Sequence, residues 1–500
     1  MKKRLIAWIL FACTLLLCAC TKGQNEEQTT SDTKENVVGE YGDSLFIKIK
    51  DDLPDNMDFG GEKITMVLRG TDPRFYSEFV VDATDVNVVS SAVFERNTIV
   101  EDRLNIVIDF YTGNIGPHGP WAEIQNSILA GACNYDVAAG SSVTATSHAL
   151  QGTYRNLRNI DNIDLSKEYW SQGLIENMTL SEATYFATGS ISTYFYDSAF
   201  VIYMNKDLAT NWGINPDEVY KTVLDGDWTL DNMILLTKDI YSDLNGNGVD
   251  GADLYGFGLQ VTSATDGFYS SCEIPCTTIL DDGNIEYAMD LERVDDVCTK
   301  LKDFLWTYDG VAALAEGTGY VTDEIYLFTN QFANNQLVFV TDWLYSTSTD
   351  TMRNMKSNFG VLPYPKYDTY QTQYYTYAHD KLTVLGIPLT VPDAKLEMVG
   401  AFLEAMASGG QNTVMPAYYE KALTSRNIRD PESVKTMNLI VSNIVNDRIW
   451  FLYRQGATSL LRDQVWKKRD DLISTYRSTY DEINSYFVTM KDAYAKYADQ

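Results

Sequence analysis

Ile64-Thr-Met-Val-Leu-Arg-Gly-Thr71 is the stretch whose reading decides the fold. Ile64, Met66 and Leu68 alternate with Thr65, Val67 and Arg69, the period-two pattern of a strand, and Gly70 punctuates its end. Working outward, Ala92, Val93, Ile99, Val100 and Leu104 recur at helical spacing, and residues 104–110 return to strand period. Trp121, Ile124, Ile128 and Leu129 form a second helical stripe, and Tyr135-Asp-Val-Ala-Ala-Gly140 reads as a short buried strand. Strand, helix, strand, helix, strand is the rhythm of an open parallel sheet, so the expected class is α/β. Ligands of such sheets bind outside the carboxyl ends of the strands. That rule singles out Arg69, Gly70 and Thr71 after the first strand and Ser141 and Ser142 after the third, against the plainer reading of polar loop residues.

A second unit follows residues 157–170. Residues 196–206 read as a strand, and Trp228-Thr-Leu-Asp231 opens a helix whose stripe runs Leu230, Met233, Ile234, Thr237, Ile240, Tyr241, Leu244. Residues 335–341 are strand-like and deliver Asp342, Trp343 and Tyr345; residues 359–363 form another short strand, followed by a tyrosine-dense segment. Residues 382–388 read as a strand by which the chain returns to the first unit, and 433–498 read as mostly helical.

Asp243-Leu-Asn-Gly-Asn-Gly248 places Asp243, Asn245 and Asn247 at alternate positions around a glycine turn, with Val249 at the position that offers a carbonyl and Asp253 near the end. That is the oxygen-ligand spacing of a calcium loop, but position 12 is Leu254. A structural calcium and a metal-free Asp/Asn/Gly turn stand evenly, and no other cofactor is expected. The formal GxGxxG at Gly246–Gly251 follows a helix and carries Asp250, so a dinucleotide site is excluded.

Lys2, Lys3 and Arg4, an apolar run over 5–17 and the closing Leu17-Cys18-Ala19-Cys20 make an export signal, too short to span a bilayer. Its ending resembles the lipobox of bacterial lipoproteins, which implies cleavage after Ala19 and a lipid on Cys20; an ordinary secretory signal is the alternative. Loss of residues 1–19 removes three positive charges and takes the net charge from −30 to −33. Such a surface repels phosphate backbones, so nucleic acid is not an expected partner, and membrane contact comes from the lipid. Residues 20–59, poor in large apolar side chains at their start, read as a tether, with order beginning near Gly60. Of the five remaining cysteines, Cys272 and Cys276 either close a small loop or stay as buried thiols.

No nucleophile elbow, HExxH or P-loop is present, and the chain is not read as an enzyme. The positive signal is aromatic: 33 Tyr, 9 Trp and 20 Phe, of which Trp343 beside Asp342 is the favoured pair for stacking a sugar ring. Ordinary packing accounts for most of the others.

Several stretches together resemble the extracellular solute-binding proteins of bacterial ABC transporters, sugar-binding family 1. They are Phe94-Glu-Arg-Asn97, Arg103-Leu-Asn-Ile106, Asn205-Lys-Asp-Leu208, Gly226-Asp-Trp-Thr-Leu-Asp231, Tyr255-Gly-Phe257, Phe359-Gly-Val-Leu-Pro-Tyr-Pro-Lys366 and Pro416-Ala-Tyr-Tyr419, together with the lipobox and the Asp243 loop. The resemblance implies a two-lobe periplasmic-binding-protein-like fold (type II) with hinge crossovers. On that pattern 60–190 and 382–422 form lobe 1, and 191–381 and 423–500 form lobe 2. It further implies a monomer anchored on the outer face of the cytoplasmic membrane, the periplasmic side where an outer membrane exists. It would close on a small solute, a carbohydrate first, and deliver it to a permease. Trp343 matches the family's aromatic after the strand, and Ser141 and Ser142 occupy a loop that often holds sugar contacts. The rivals are a surface carbohydrate-active hydrolase and a carbohydrate-binding lipoprotein without a transport role.

Overall fold

The strand carrying Ile64 is the second of four in the smaller of two main sheets. The computed structural model describes residues 36–38, 44–70, 72–81, 87–259, 261–313, 327–423, 430–452 and 457–500. The export signal, Cys20 and Thr71 therefore lie outside the described residues.

Glu62–Val67 pairs in parallel with Ile106–Tyr111 on one side and Val137–Ser141 on the other, and Thr383–Gly386 adds antiparallel to Val137–Ser141. The period-two alternation sorts the side chains: Ile64, Met66 and Leu68 enter one apolar core and Val67 the other. Helix Val88–Leu104 starts where the Asn87 side chain accepts from the N–H groups of Val89 and Ser90, and it stops at Asn105, held at φ 46°. Trp121 opens the next helix and packs on Gly140; a Cβ there would come within 2.7 Å of its ring, so the strand carries glycine at that point.

The larger sheet runs Val311–Ala313, Leu254–Leu259, Leu337–Trp343, Phe200–Asn205, Phe359–Leu362, with Tyr241–Ser242 against Leu254–Leu259. Its central strand Leu337–Trp343 is buried except at its last residue, Trp343. The helix read over 230–244 ends at Thr237, because Tyr241 and Ser242 turn back to pair with Tyr255 and Leu254. Cys272 and Cys276 are both free and buried, so the CxxxC pair does not close a loop.

Two segments pass side by side between the sheets. Ala187 and Leu385 exchange backbone hydrogen bonds (3.0 and 2.9 Å), and further along Phe200 N–H donates to Tyr377 O (2.9 Å) and His379 N–H to Ser198 O (2.8 Å). The C-terminal helix Leu472–Tyr497 lies across both regions. Asn484 Oδ1 accepts from Tyr287 N–H (2.8 Å), while near the other end Tyr494 packs edge-on to Tyr185 with ring centroids 4.8 Å apart.

Order begins before Gly60. Ser44–Ile47 pairs with Asn36–Val38, and Ile49 is gripped by the Asn412 amide, which accepts its N–H (2.9 Å) and donates to its carbonyl (2.9 Å). Asp51 takes a two-pronged contact from Arg103 at 2.8 and 2.7 Å. The stretch read as tether thus contributes its last dozen or so residues to the body, through partners that lie far away in sequence.

Candidate functional site

The strand ends at Val67, Ser141 and Trp343 lie toward the paired crossovers, and a buried polar cluster ties the crossovers to the smaller sheet. Glu78 accepts from Thr383 Oγ1 at Oε1 (2.7 Å) and from the Ser192 hydroxyl and Tyr194 N–H (3.2 Å) at Oε2. Ser192 sits on the outgoing crossover and Thr383 on the returning one, so one carboxylate holds both. Burial pushes the Glu78 carboxyl up, opposed by the positive charge of Arg69. Arg69 donates to Lys381 O (2.8 Å) and to the Thr383 hydroxyl, and its guanidinium lies 4.4 Å from the Phe75 ring centroid. Arg96 donates to Ile191 O (3.1 Å) and Glu78 O (2.9 Å).

This accounts for three of the residues nominated from sequence. Arg69 is only 1% exposed, and its Nη1 and Nη2 each donate to the returning crossover. Ser141 and Ser142 are also buried; Ser142 Oγ donates to Asp380 O (2.6 Å), and its N–H donates to Leu382 O (3.0 Å). These side chains fix the crossovers to the smaller sheet, and none is turned out to meet a solute. Thr71 falls outside the described residues.

The other three lie together at the end of the larger sheet's central strand. Asp342 is buried: Oδ1 accepts from Trp343 N–H (2.7 Å), and Oδ2 accepts from Ser346 Oγ (2.8 Å) and the Thr329 hydroxyl. Burial raises its carboxyl to about 6, and those hydrogen bonds oppose the rise. Asp342 therefore shapes the turn Leu344–Ser348, which carries half-buried Tyr345. Trp343 is half-buried, with its carbonyl accepting from Tyr203 OH (2.8 Å). Its ring stands edge-on to Phe200 (6.0 Å, 76°) and to His379 (5.3 Å, 68°).

His379 was not singled out by the sequence reading. The signal available was slight: one of three histidines, placed just before the returning strand.

In the Asp243 loop the carboxylates are taken up by the chain. Asp243 accepts from the N–H groups of Gly246 (2.6 Å) and Gly248 (3.0 Å), Asn247 Nδ2 donates to Asp250 (2.8 Å), and Asp253 accepts from Leu244 N–H and Tyr241 OH. Val249 is 71% exposed. Among the described residues no group of three or more His, Cys, Asp or Glu is placed to hold a metal ion.

On the crossovers' flank a cavity of about 540 Å³ is lined by residues that include Tyr169, Trp170, Gln172, Tyr196, Gln411 and Asn438. Neither Trp343 nor His379 belongs to its wall.

Two sheets, paired crossovers and an aromatic at a central strand end invite comparison with solved structures. A solute-binding protein of an ABC transporter from Thermotoga lettingae, bound with α-D-tagatose, superposes with a TM-score of 0.51 at 14% identity, covering 85% of this chain and all of that one. RafE of Streptococcus pneumoniae, in its apo form, gives 0.51 at 15% identity over 88% of this chain and all of its own. An uncharacterized protein of Listeria monocytogenes gives 0.55 at 11% identity over 85% and 100%. The chain has the fold of the ABC-transporter solute-binding proteins. No protein-family profile matches it, and no curated protein sequence matches it. The Thermotoga neighbour is a solute-binding protein, not an enzyme.

Proposed function

We propose that this chain captures a small carbohydrate between its two sheets, closes over it by rotation at the paired crossovers, and hands it to an ABC-transporter permease. The observation that carries the reading is the half-buried Trp343 ring at the end of an otherwise buried central strand, beside the crossovers. A flat ring at that place offers a platform for the C–H face of a sugar, and closure supplies contacts from the opposite side. Binding alone biases the closed state, so no covalent chemistry is required. The Thermotoga protein of the same fold is bound with α-D-tagatose, which supports a sugar as the solute class. The export signal and Cys20 support delivery at the outer face of the cytoplasmic membrane by a lipid-anchored monomer.

The test is thermal unfolding of the mature chain with tagatose, maltose, raffinose and glucose. A sugar at ~100 times its dissociation constant adds about 2.7 kcal/mol to stability and raises the melting temperature. A rise with one sugar class and recovery of that sugar unchanged support capture. Release of a hydrolysis product overturns it in favour of an enzyme.

A further inference from the structure

The returning crossover brings a second polar group to the Trp343 ring. His379 is fixed from two directions: its backbone N–H donates to Ser198 O (2.8 Å), and its Nδ1 accepts the N–H of Lys381 (3.1 Å). Its ring centroid lies 5.3 Å from that of Trp343 and 6.0 Å from that of Phe200. Nδ1 lies between the Lys381 N–H, which calls for its lone pair, and Asp380 Oδ1, which calls for a proton, so Nδ1 is engaged by the chain and Nε2 is the ring atom left to meet a ligand. Asp380 Oδ1, 3.0 Å from Nδ1, sets a carboxylate on that same inner side. Nε2 makes no hydrogen bond to the described residues, and the side chain is 13% exposed.

We infer that His379 is a specificity-determining residue of the solute site, hydrogen-bonding through Nε2 to one hydroxyl of a sugar stacked on Trp343. The inference rests on the carbohydrate reading above and deepens it. A stacking ring accepts many sugars because each has an apolar face; selectivity comes from a fixed polar group that one epimer or deoxy form fails to meet. His379 suits this role because its rotamer is set by main-chain bonds before any solute arrives, which lowers the ordering cost of binding. It stands on a crossover, and the platform it faces stands on the larger sheet, so a sugar touching both joins the pivot to one lobe.

Two substitutions separate this role from a structural one. In His379→Asn the short amide oxygen still accepts from Lys381 N–H but nothing reaches the Nε2 position; in His379→Gln the amide nitrogen reaches near Nε2. Calorimetric titration of the mature wild type with tagatose, maltose, raffinose and glucose selects the tightest probe, and its single-deoxy forms are then titrated against all three proteins. One deoxy position is expected to cost the wild type about fivefold, the size of one hydrogen bond. His379→Asn should melt as the wild type does, bind the parent sugar about fivefold more weakly, and lose the penalty for that deoxy position alone. His379→Gln should bind within about twofold of wild type, as one hydrogen bond restored implies. Equal deoxy penalties in wild type and His379→Asn overturn the inference while leaving sugar capture standing. Failure of the wild type to bind any of the four sugars overturns the carbohydrate reading, and the role of His379 with it.

Discussion

Glu78 and Thr383, 305 positions apart, share a 2.7 Å hydrogen bond from the Thr383 hydroxyl to Glu78 Oε1 inside the protein. Because Glu78 Oε2 also accepts from Ser192, both crossovers are fastened to the smaller sheet up to Tyr194 and down to Lys381. Beyond this clamp the two crossovers stay paired with each other through Phe200 N–H to Tyr377 O and His379 N–H to Ser198 O, and these residues are where the proposed closure would turn.

Glu78→Ala leaves Arg69 and Arg96 buried without their shared counter-charge. Removing one member of a buried, hydrogen-bonded charge set costs about 3–5 kcal/mol, and that loss is expected in urea unfolding. Glu78→Gln, which keeps the shape, should lose less. Equal, small losses for both variants would show that the clamp does not hold the crossovers.

Glu404 gives a pH dependence with a defined sign. It accepts from Trp170 Nε1 (3.0 Å) and from Tyr169 OH, and burial raises its carboxyl from 4.5 to about 7. A raised folded-state value means that the contribution is fully present below the unfolded value of about 4.5 and is lost as pH rises through about 7. At about 1.4 kcal/mol for each unit of pKa difference, the loss is of the order of 3 kcal/mol. Glu404→Gln should flatten that fall, measured as the difference in unfolding free energy between wild type and variant from pH 4.5 to 8. A constant difference across the range would contradict the assignment.

Trp343→Ala should weaken binding of a recognised sugar by about tenfold or more, the worth of a stacked aromatic at 1–3 kcal/mol, and melting of the ligand-free variant measures separately the packing lost against Phe200 and His379. Trp343→Phe should recover part of the affinity. Unchanged titration isotherms for Trp343→Ala would remove the platform from the account.

Asp253→Ala removes the acceptor for Leu244 N–H (3.1 Å), Asp250 N–H (2.9 Å) and Tyr241 OH (2.9 Å) in a fully buried position. A loss of about 1–2 kcal/mol is expected by denaturant unfolding, since three hydrogen bonds to a buried acceptor are lost from donors that water reaches in part. Melting the wild type with calcium and with chelator decides whether a cation adds to this network; an unchanged midpoint assigns the loop's order to the hydrogen bonds alone.

Local periodicity made the elements legible: the alternation at Ile64, Met66 and Leu68 and the stripe at Trp121, Ile124 and Ile128 correspond to a strand and a helix near the expected bounds. The α/β class followed from their order. What sequence did not carry was partnership across distance. Arg69 reads as a ligand residue because it follows a strand, yet Thr383 and Lys381 claim its donors from more than 300 positions away. Ile49 looks like tether until Asn412 supplies the partner for its backbone. Trp343 was nominated because an aromatic beside a carboxylate at the end of a strand-like run is a local pattern, whereas the approach of His379 to its ring depends on two crossovers lying side by side.

Small-angle scattering of the mature chain, with and without saturating tagatose, maltose, raffinose or glucose, tests capture by closure most directly. With the sugar shown to bind, a smaller radius of gyration in the bound state, abolished by Trp343→Ala, is the predicted result. Binding with an unchanged radius of gyration would contradict rotation at the crossovers as the means by which this protein holds its solute.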